Sequence, residues 1–197
     1  MLRREFITLL GGAAAAWPLA ARGQHADQVR RIGWLTTANE DNVETKPRLA
    51  AFVGALQQFG WIEGRNVRID LRASGGDTAT TRRYATELVA LRPDVILATG
   101  SLPASSLLEA TRTVPIVFAV VVDPVGAGIV DSLARPGGNV TGFMLFEYTL
   151  SAKWPELLKQ VAPSVTRVAV PRDSITTAGI GQFAVIQALA PSVGLEV

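Results

Sequence analysis

Residues 114–128 read VPIVFAVVVDPVGAG, and the fold turns on this stretch. From Ile116 to Val122 every residue is apolar, with none of the polar alternation of a half-solvated strand. A strand reads this way when helices cover both faces of a parallel sheet, so a central strand of an α/β protein is predicted here. It stops at Asp123-Pro124, and the Gly and Ala residues beyond predict a short helix from about Gly126 to Leu133. Ligands of open α/β sheets bind outside the carboxyl ends of the strands. Asp123 is therefore a candidate ligand-binding residue, able to receive an ammonium or a hydroxyl. An aspartate before a proline equally suits a cap or turn, and both roles can hold together.

Upstream, Arg31 to Leu35 reads as a first strand, with Thr36 and Thr37 opening the loop at its carboxyl end. The next helix is marked by Thr45 and Pro47 at its start and Gly60 at its end. Its apolar residues Leu49, Phe52, Val53, Leu56 and Phe59 recur at helical spacing and are expected in the core. Val67 to Leu71 alternates apolar and charged residues, as an outer strand does. Asp77-Thr78 opens a helix through Leu91 that turns Tyr84, Ala85, Leu88 and Val89 toward the sheet.

Val95 to Ala98 is a third strand, ending in Thr99-Gly100-Ser101. Gly100 permits a tight turn, Ser101 suits a helix cap and Pro103 suits its first turn, so free N–H groups there would point at a ligand such as a carboxylate. A Ser101 that only caps its own helix needs no ligand. Val140 to Phe143 is a fifth, short strand. Strands with helices between them form right-handed βαβ units, hence one parallel sheet doubly wound by helices.

That sheet is expected to occupy residues 24–143, and residues 144–150 read as a crossing out of it. Glu147 and Tyr148 lie in the crossing, where a cleft would open, although surface loop residues look the same in sequence. A helix capped by Ser151 is predicted through Val161, burying Trp154, Leu157, Leu158 and Val161. A strand from Val165 to Val170, a helix from Thr177 to Leu189 and the approach to another strand at 194–197 complete residues 151–197. So short a segment is expected to be the truncated start of a second α/β lobe.

Residues 1–23 have a different character. Arg3-Arg4, an apolar run from Phe6 to Ala16, Pro18 and Leu19-Ala20-Ala21 follow the order of a secretory signal whose apolar run is too short for a permanent membrane span. The arginine pair before Glu5-Phe6-Ile7 resembles the twin-arginine export motif, with cleavage expected near Gly23; an ordinary secretory signal is the alternative. The whole chain holds 19 Lys and Arg against 17 Asp and Glu, and removing residues 1–23 leaves sixteen of each. A near-neutral remainder gives no argument for nucleic acid or an anionic membrane as partner.

The chain has no cysteine and a single histidine, His25, in a polar segment beside the expected cleavage point. Disulfides, a lipid-modified cysteine anchor, ordinary zinc sites and Cys-His or Ser-His nucleophile pairs are thereby excluded. Neither a GxGxxG loop after the first strand nor a Walker A lysine loop is present. No cofactor, metal or catalytic group is expected.

Several segments taken together resemble a known family: RREFITLLGG at the start, RRIGWL at 30–35, FVGALQQFGWIEGRNVRID at 52–70, PDVILATGS at 93–101, PIVFAVVVDPVGAGIVDSLARPGGNVTGF at 115–143, and the helix with Trp154. They resemble the ABC transporter substrate-binding proteins of the tryptophan/tyrosine type, in the periplasmic binding protein class, over essentially the whole chain. The resemblance implies two α/β lobes joined by a hinge, a small solute held between them, and a membrane permease that recognises the closed form. By position it matches the cleft loops of the first lobe to Thr36-Thr37, to Thr99-Gly100-Ser101 and to Asp123-Pro124, and the hinge to Phe143–Thr149.

The expected function is that of the binding component of an ABC importer in the periplasm. It would capture an amino-acid-like solute, an aromatic one among the candidates, for an inner-membrane permease. The expected ligand-binding residues are Thr36, Thr37, Thr99, Gly100, Ser101, Asp123 and Glu147. Two other classes stand beside this reading: a ligand-sensing domain for a membrane receptor, and an exported α/β enzyme using Asp123 with Thr and Ser residues.

Overall fold

The computed structural model describes residues 29–39, 42–43 and 45–197; the export signal read at 1–23 and His25 lie outside them. The first four strands alternate with helices and a fifth follows without one: β1 (Arg30–Thr36), α1 (Thr45–Gln58), β2 (Val67–Ala73), α2 (Thr78–Ala90), β3 (Val95–Thr99), α3 (Ser101–Ala110), β4 (Ile116–Val121) and β5 (Val140–Met144). A 3-10 turn (Tyr148–Ala152), α4 (Lys153–Val161), α5 (Thr177–Leu189) and a second 3-10 turn (Ala190–Val193) follow. All five strands pair in parallel, in the order β2-β1-β3-β4-β5. The apolar β4 is interior, as its lack of alternation requires.

One face of the sheet buries Leu35, Ile96, Ala98, Phe118 and Val121 against Ala85 and Leu88 of α2 and Ala104 and Leu107 of α3. Full burial of a Leu or Phe contributes about 1.5–3 kcal/mol, so this cluster is the main source of the fold's stability. On the opposite face Trp34 meets Phe52 of α1 edge to face, with ring centroids 5.4 Å apart. Local sequence sets the helix starts: Asp77 accepts the Thr80 amide at 2.7 Å and so caps α2. At the amino-terminal edge, Arg31 Nε donates to Asp70 at 2.6 Å and its backbone amide to Asp94 at 2.8 Å, tying β1 to β2 and to the turn before β3.

Several expectations need correction. The helix expected over 126–133 is a turn: Ala127 donates to the Asp123 carbonyl and Ile129 to that of Pro124, but Gly128 takes φ +68° and stops the winding. Ile129 and Val130 then drop into the core. Phe59 is 82% exposed rather than packed, because α1 ends at Gln58 and the chain turns away at Gly60, φ +83°. The strand expected at Val165–Val170 amounts to one parallel bridge, Arg167 with Glu196, where Val168 donates to the Glu196 carbonyl and Glu196 to that of Thr166. A single partner pair supports no longer ladder. In α4, Trp154, Leu157 and Val161 are exposed, and the buried residue is Pro155. Ser151 lies inside the 3-10 turn and caps nothing.

Candidate functional site

The parallel pairing brings the carboxyl ends of β1, β3 and β4 together, with Thr36 beside Thr99 and Thr99 beside Ala119. Four of the expected residues meet there. Thr36 is buried and its hydroxyl accepts the Ala38 amide at 3.2 Å. Thr99 Oγ1 accepts the indole N–H of Trp34 at 2.9 Å, which leaves its own proton free to donate. Thr37 Oγ1 lies 3.6 Å from where a side chain on Gly100 would begin. Gly100 has φ +105°, a conformation open to glycine, and precedes α3 without any side-chain cap.

Ser101 does not cap α3, contrary to one of its expected roles: it is the first helical residue, and its hydroxyl accepts the Val122 amide at 3.3 Å. It thereby ties the start of α3 to the end of β4. Asp123 behaves as the turn residue of its alternative reading. One carboxylate oxygen accepts Gly126 N–H at 2.7 Å and the other accepts Tyr148 N–H at 3.2 Å. Its own amide donates to the Phe146 carbonyl at 2.8 Å. Glu147 is exposed and accepts the Thr149 hydroxyl at 3.3 Å.

The end of β4 is strained. Between Ala119 and Val121 the pairing with β5 slips by a residue, and Val120 is held at φ +59° and Asp123 at +42°. A β-branched residue at positive φ is a conformational outlier, and such strain gathers at functional sites.

A polar cavity of about 150 Å³ opens next to Ser101, lined by Thr78, Arg82, Ser105, Thr176 and Thr177 among others. Thr78, Ser101 and Thr177 are the first residues of α2, α3 and α5, so three helix N-termini converge on one hollow. Helix N-termini favour an anion; α3 has no side-chain cap, whereas Asp77 already accepts the Thr80 amide of α2 and Thr176 the Gly179 amide of α5. Arg82 and Glu109 both line it and pair with each other at 3.2 Å, each side chain 60% exposed. Larger hollows lie elsewhere: apolar ones of about 340 Å³ at the amino-terminal edge of the sheet around Ile32, Trp61 and Val95 and about 200 Å³ between α4 and α5 around Trp154 and Ile186, and an open one of about 410 Å³ beside Arg167 and Glu196. The contribution of Thr78, Arg82, Thr176 and Thr177 was not legible in the sequence, because it depends on where α5 lies relative to α2 and α3. A Thr opening each of two predicted helices was the available signal.

In and after the crossing, the hydroxyls of Tyr148, Ser151 and Thr177 are buried without a well-formed hydrogen bond. Burial pushes the Tyr148 phenol above its usual range; the nearby Thr177 hydroxyl opposes this and the Asp123 charge adds to it. The phenol is therefore a neutral O–H at physiological pH.

Comparison with known proteins bears on the family and the fold. The curated tyrosine-binding protein of Clostridioides difficile (strain R20291) is 36% identical over 119 residues, 60% of this chain and 34% of that protein. Among solved structures, a conserved domain protein of Vibrio cholerae superposes with TM-score 0.73 at 27% identity, over 86% of this chain and 56% of the other. The ABC domain from Streptococcus pneumonia in complex with L-Trp gives TM-score 0.69 at 28% identity, over 85% and 55%. The chain thus spans about a third of the curated relative and little more than half of these solved chains. The sheet, its order of elements and its flanking helices are those of a periplasmic binding protein. The sequence model described as ABC transporter substrate binding protein matches residues 41–197, and the chain belongs to that family.

Proposed function

We propose that this chain captures an α-amino acid for an ABC importer, holding its carboxylate where α2, α3 and α5 begin. The observation that carries the reading is the convergence of Thr78, Ser101 and Thr177 on one polar cavity beside the guanidinium of Arg82. Residues 24–143 act as one lobe and 151–197 as part of another, with 144–150 between them, so a ligand touching both α3 and α5 draws them together. Thr36, Thr37, Thr99 and Gly100 form the adjoining wall of the cleft. Asp123 shapes the wall through its turn, and Glu147 stands at the rim.

Relatives described as binding tyrosine or L-Trp make aromatic amino acids the first solutes to test. Binding, without turnover, is the activity proposed, and an inner-membrane permease the partner. Among the described residues no helix is long and apolar enough to cross a membrane. Separately, the order of residues 1–23 supports the proposal that they direct export to the periplasm and are then removed near Gly23. A chain that accumulated there normally with Arg3 and Arg4 both changed to Lys would exclude the twin-arginine route.

The test of binding is a thermal-shift screen with the twenty amino acids, followed by calorimetry. A solute at a hundred times its Kd stabilises by about 2.7 kcal/mol, which in a chain of this size raises Tm by about 5–10 °C. Absence of any shift across the panel would overturn the proposal, as would consumption of a solute.

A further inference from the structure

Tyr148 belongs to two parts of the chain at once. Its backbone is fastened to the end of the five-stranded sheet: its amide donates to Asp123 Oδ2 at 3.2 Å, while Asp123 Oδ1 is held by Gly126 N–H at 2.7 Å. Two residues earlier, the Phe146 carbonyl accepts the Asp123 amide at 2.8 Å. Up to Tyr148, then, the crossing is an extension of the sheet.

Its ring belongs to α5. A methyl group on Gly181 would overlap the Cε2, Cζ and Cδ2 atoms of Tyr148, so the ring occupies the place of a missing side chain on that helix. Glycine is a poor choice in a helix interior unless something approaches closely; here Tyr148 does. Four residues before Gly181, Thr177 opens α5 and lines the polar cavity. The Tyr148 and Thr177 hydroxyls are both buried here and lie near each other, the Thr177 hydroxyl lowering the phenol pKa that burial raises. A phenylalanine would fill the same seat without leaving a polar atom unpaired.

We propose that Tyr148 is a positioning residue for the binding cavity: held at its backbone by Asp123 and at its ring by Gly181, it sets the first turn of α5, and with it Thr177, over Ser101. This rests on reading the cavity as the solute site. Solute bound between Ser101 and Thr177 then stabilises the Tyr148 seat, and disturbing the Asp123 turn loosens α5.

The experiment is a double-mutant cycle on the full chain, read by hydrogen exchange at the Gly179 and Ile180 amides, which bond to Thr176. Asp123→Ala is expected to speed their exchange about tenfold in the unaltered background and to add nothing once Tyr148→Ala is present, since coupled residues are not additive. Gly181→Ala is expected to speed them likewise, and Tyr148→Leu to restore slow exchange in the Gly181→Ala chain by making room. Equal acceleration by Asp123→Ala in both backgrounds, or no acceleration in either, overturns the proposal. Calorimetry with L-Trp and L-Tyr forms a separate arm: Tyr148→Ala should weaken binding about tenfold or more, mainly through faster release, and Tyr148→Phe less. Unchanged affinity in Tyr148→Ala overturns the inference alone. If the unaltered chain binds neither amino acid, the reading of the cavity falls, while the exchange cycle still decides whether Tyr148 positions α5.

Discussion

The indole N–H of Trp34 donates to the hydroxyl of Thr99 at 2.9 Å, across the pairing of β1 with β3 and 65 residues along the chain. Trp34 is 5% exposed, so its N–H depends mainly on Thr99 for a partner. Thr99→Val keeps shape but strands a buried donor, at a cost of about 1–3 kcal/mol. The urea midpoint of the variant is expected to fall accordingly; an unchanged midpoint would show that the bond is dispensable and Thr99 free for a ligand.

Val120 sits at φ +59° and is 46% exposed, so it bears backbone strain while burying little. Asparagine tolerates that conformation. Val120→Asn is predicted to stabilise the chain by about 1 kcal/mol, a rise in Tm of about 2–4 °C. A lower Tm in calorimetry would mean that the side chain packs against something that offsets the strain.

Gly142 of β5 faces Phe118 of β4 so closely that a methyl group would overlap the Phe118 carbonyl and amide. Backbone cannot swing aside as a side chain can. Gly142→Ala should therefore cost about 1–3 kcal/mol or more by prising the two strands apart, with faster exchange of the β4 and β5 amides than of β1 and β3. Uniform exchange across the sheet would contradict this.

Arg31 donates to Asp70 at 2.6 Å, and this hydrogen bond holds the Asp70 carboxyl below its ordinary value of 3.8 despite the opposing effect of burial. A depressed folded-state pKa contributes stability that is present above the ordinary value and is lost as pH falls through it. Asp94, held by the Arg31 amide and then the Arg30 guanidinium, acts in the same direction. Asp70→Asn should lower stability near neutrality and flatten its decline between about pH 5 and pH 2. Denaturation at a series of pH values checks it, and an unaltered slope would remove Asp70 from the acid response.

The chain has two tyrosines, so Tyr84→Phe leaves Tyr148 as the only phenol. Its ionisation, followed by tyrosinate absorbance, is expected above the ordinary value of 10.0 because burial disfavours the charged form. The sign for stability follows: above that value the unfolded chain ionises first, and stability falls as pH rises further. A midpoint at or below the ordinary value would show that the hydroxyl reaches solvent.

Local pattern was enough for much of the fold. The unbroken run Ile116–Val122 announced an interior strand, Asp77 announced the start of α2, and Thr99-Gly100 announced the turn into α3, because period, caps and glycine turns act within a few residues. The same rules misread the segment after Asp123, where Ala and Gly suggested a helix but left-handed Gly128 and the pull of the core on Ile129 and Val130 made a turn. They misread Phe59 and Val161 too, since helical spacing states which residues share a face and not whether anything covers it.

For the site, the sequence alone determined that threonines, Gly100, Ser101 and Asp123 end parallel strands, and the sheet does bring the β1 and β3 ends together. Tertiary structure decided their use. Thr99 faces Trp34, Ser101 holds Val122, and Asp123 spends both oxygens on backbone amides 3 and 25 residues away. Only the folded chain brings Thr177 and Thr78 to the cavity beside Ser101 and seats Tyr148 on Gly181. The physical reason is that a side chain's local tendencies are set by its neighbours in sequence, whereas hydrogen-bond partners and cavities depend on how separate elements pack, information no single segment carries.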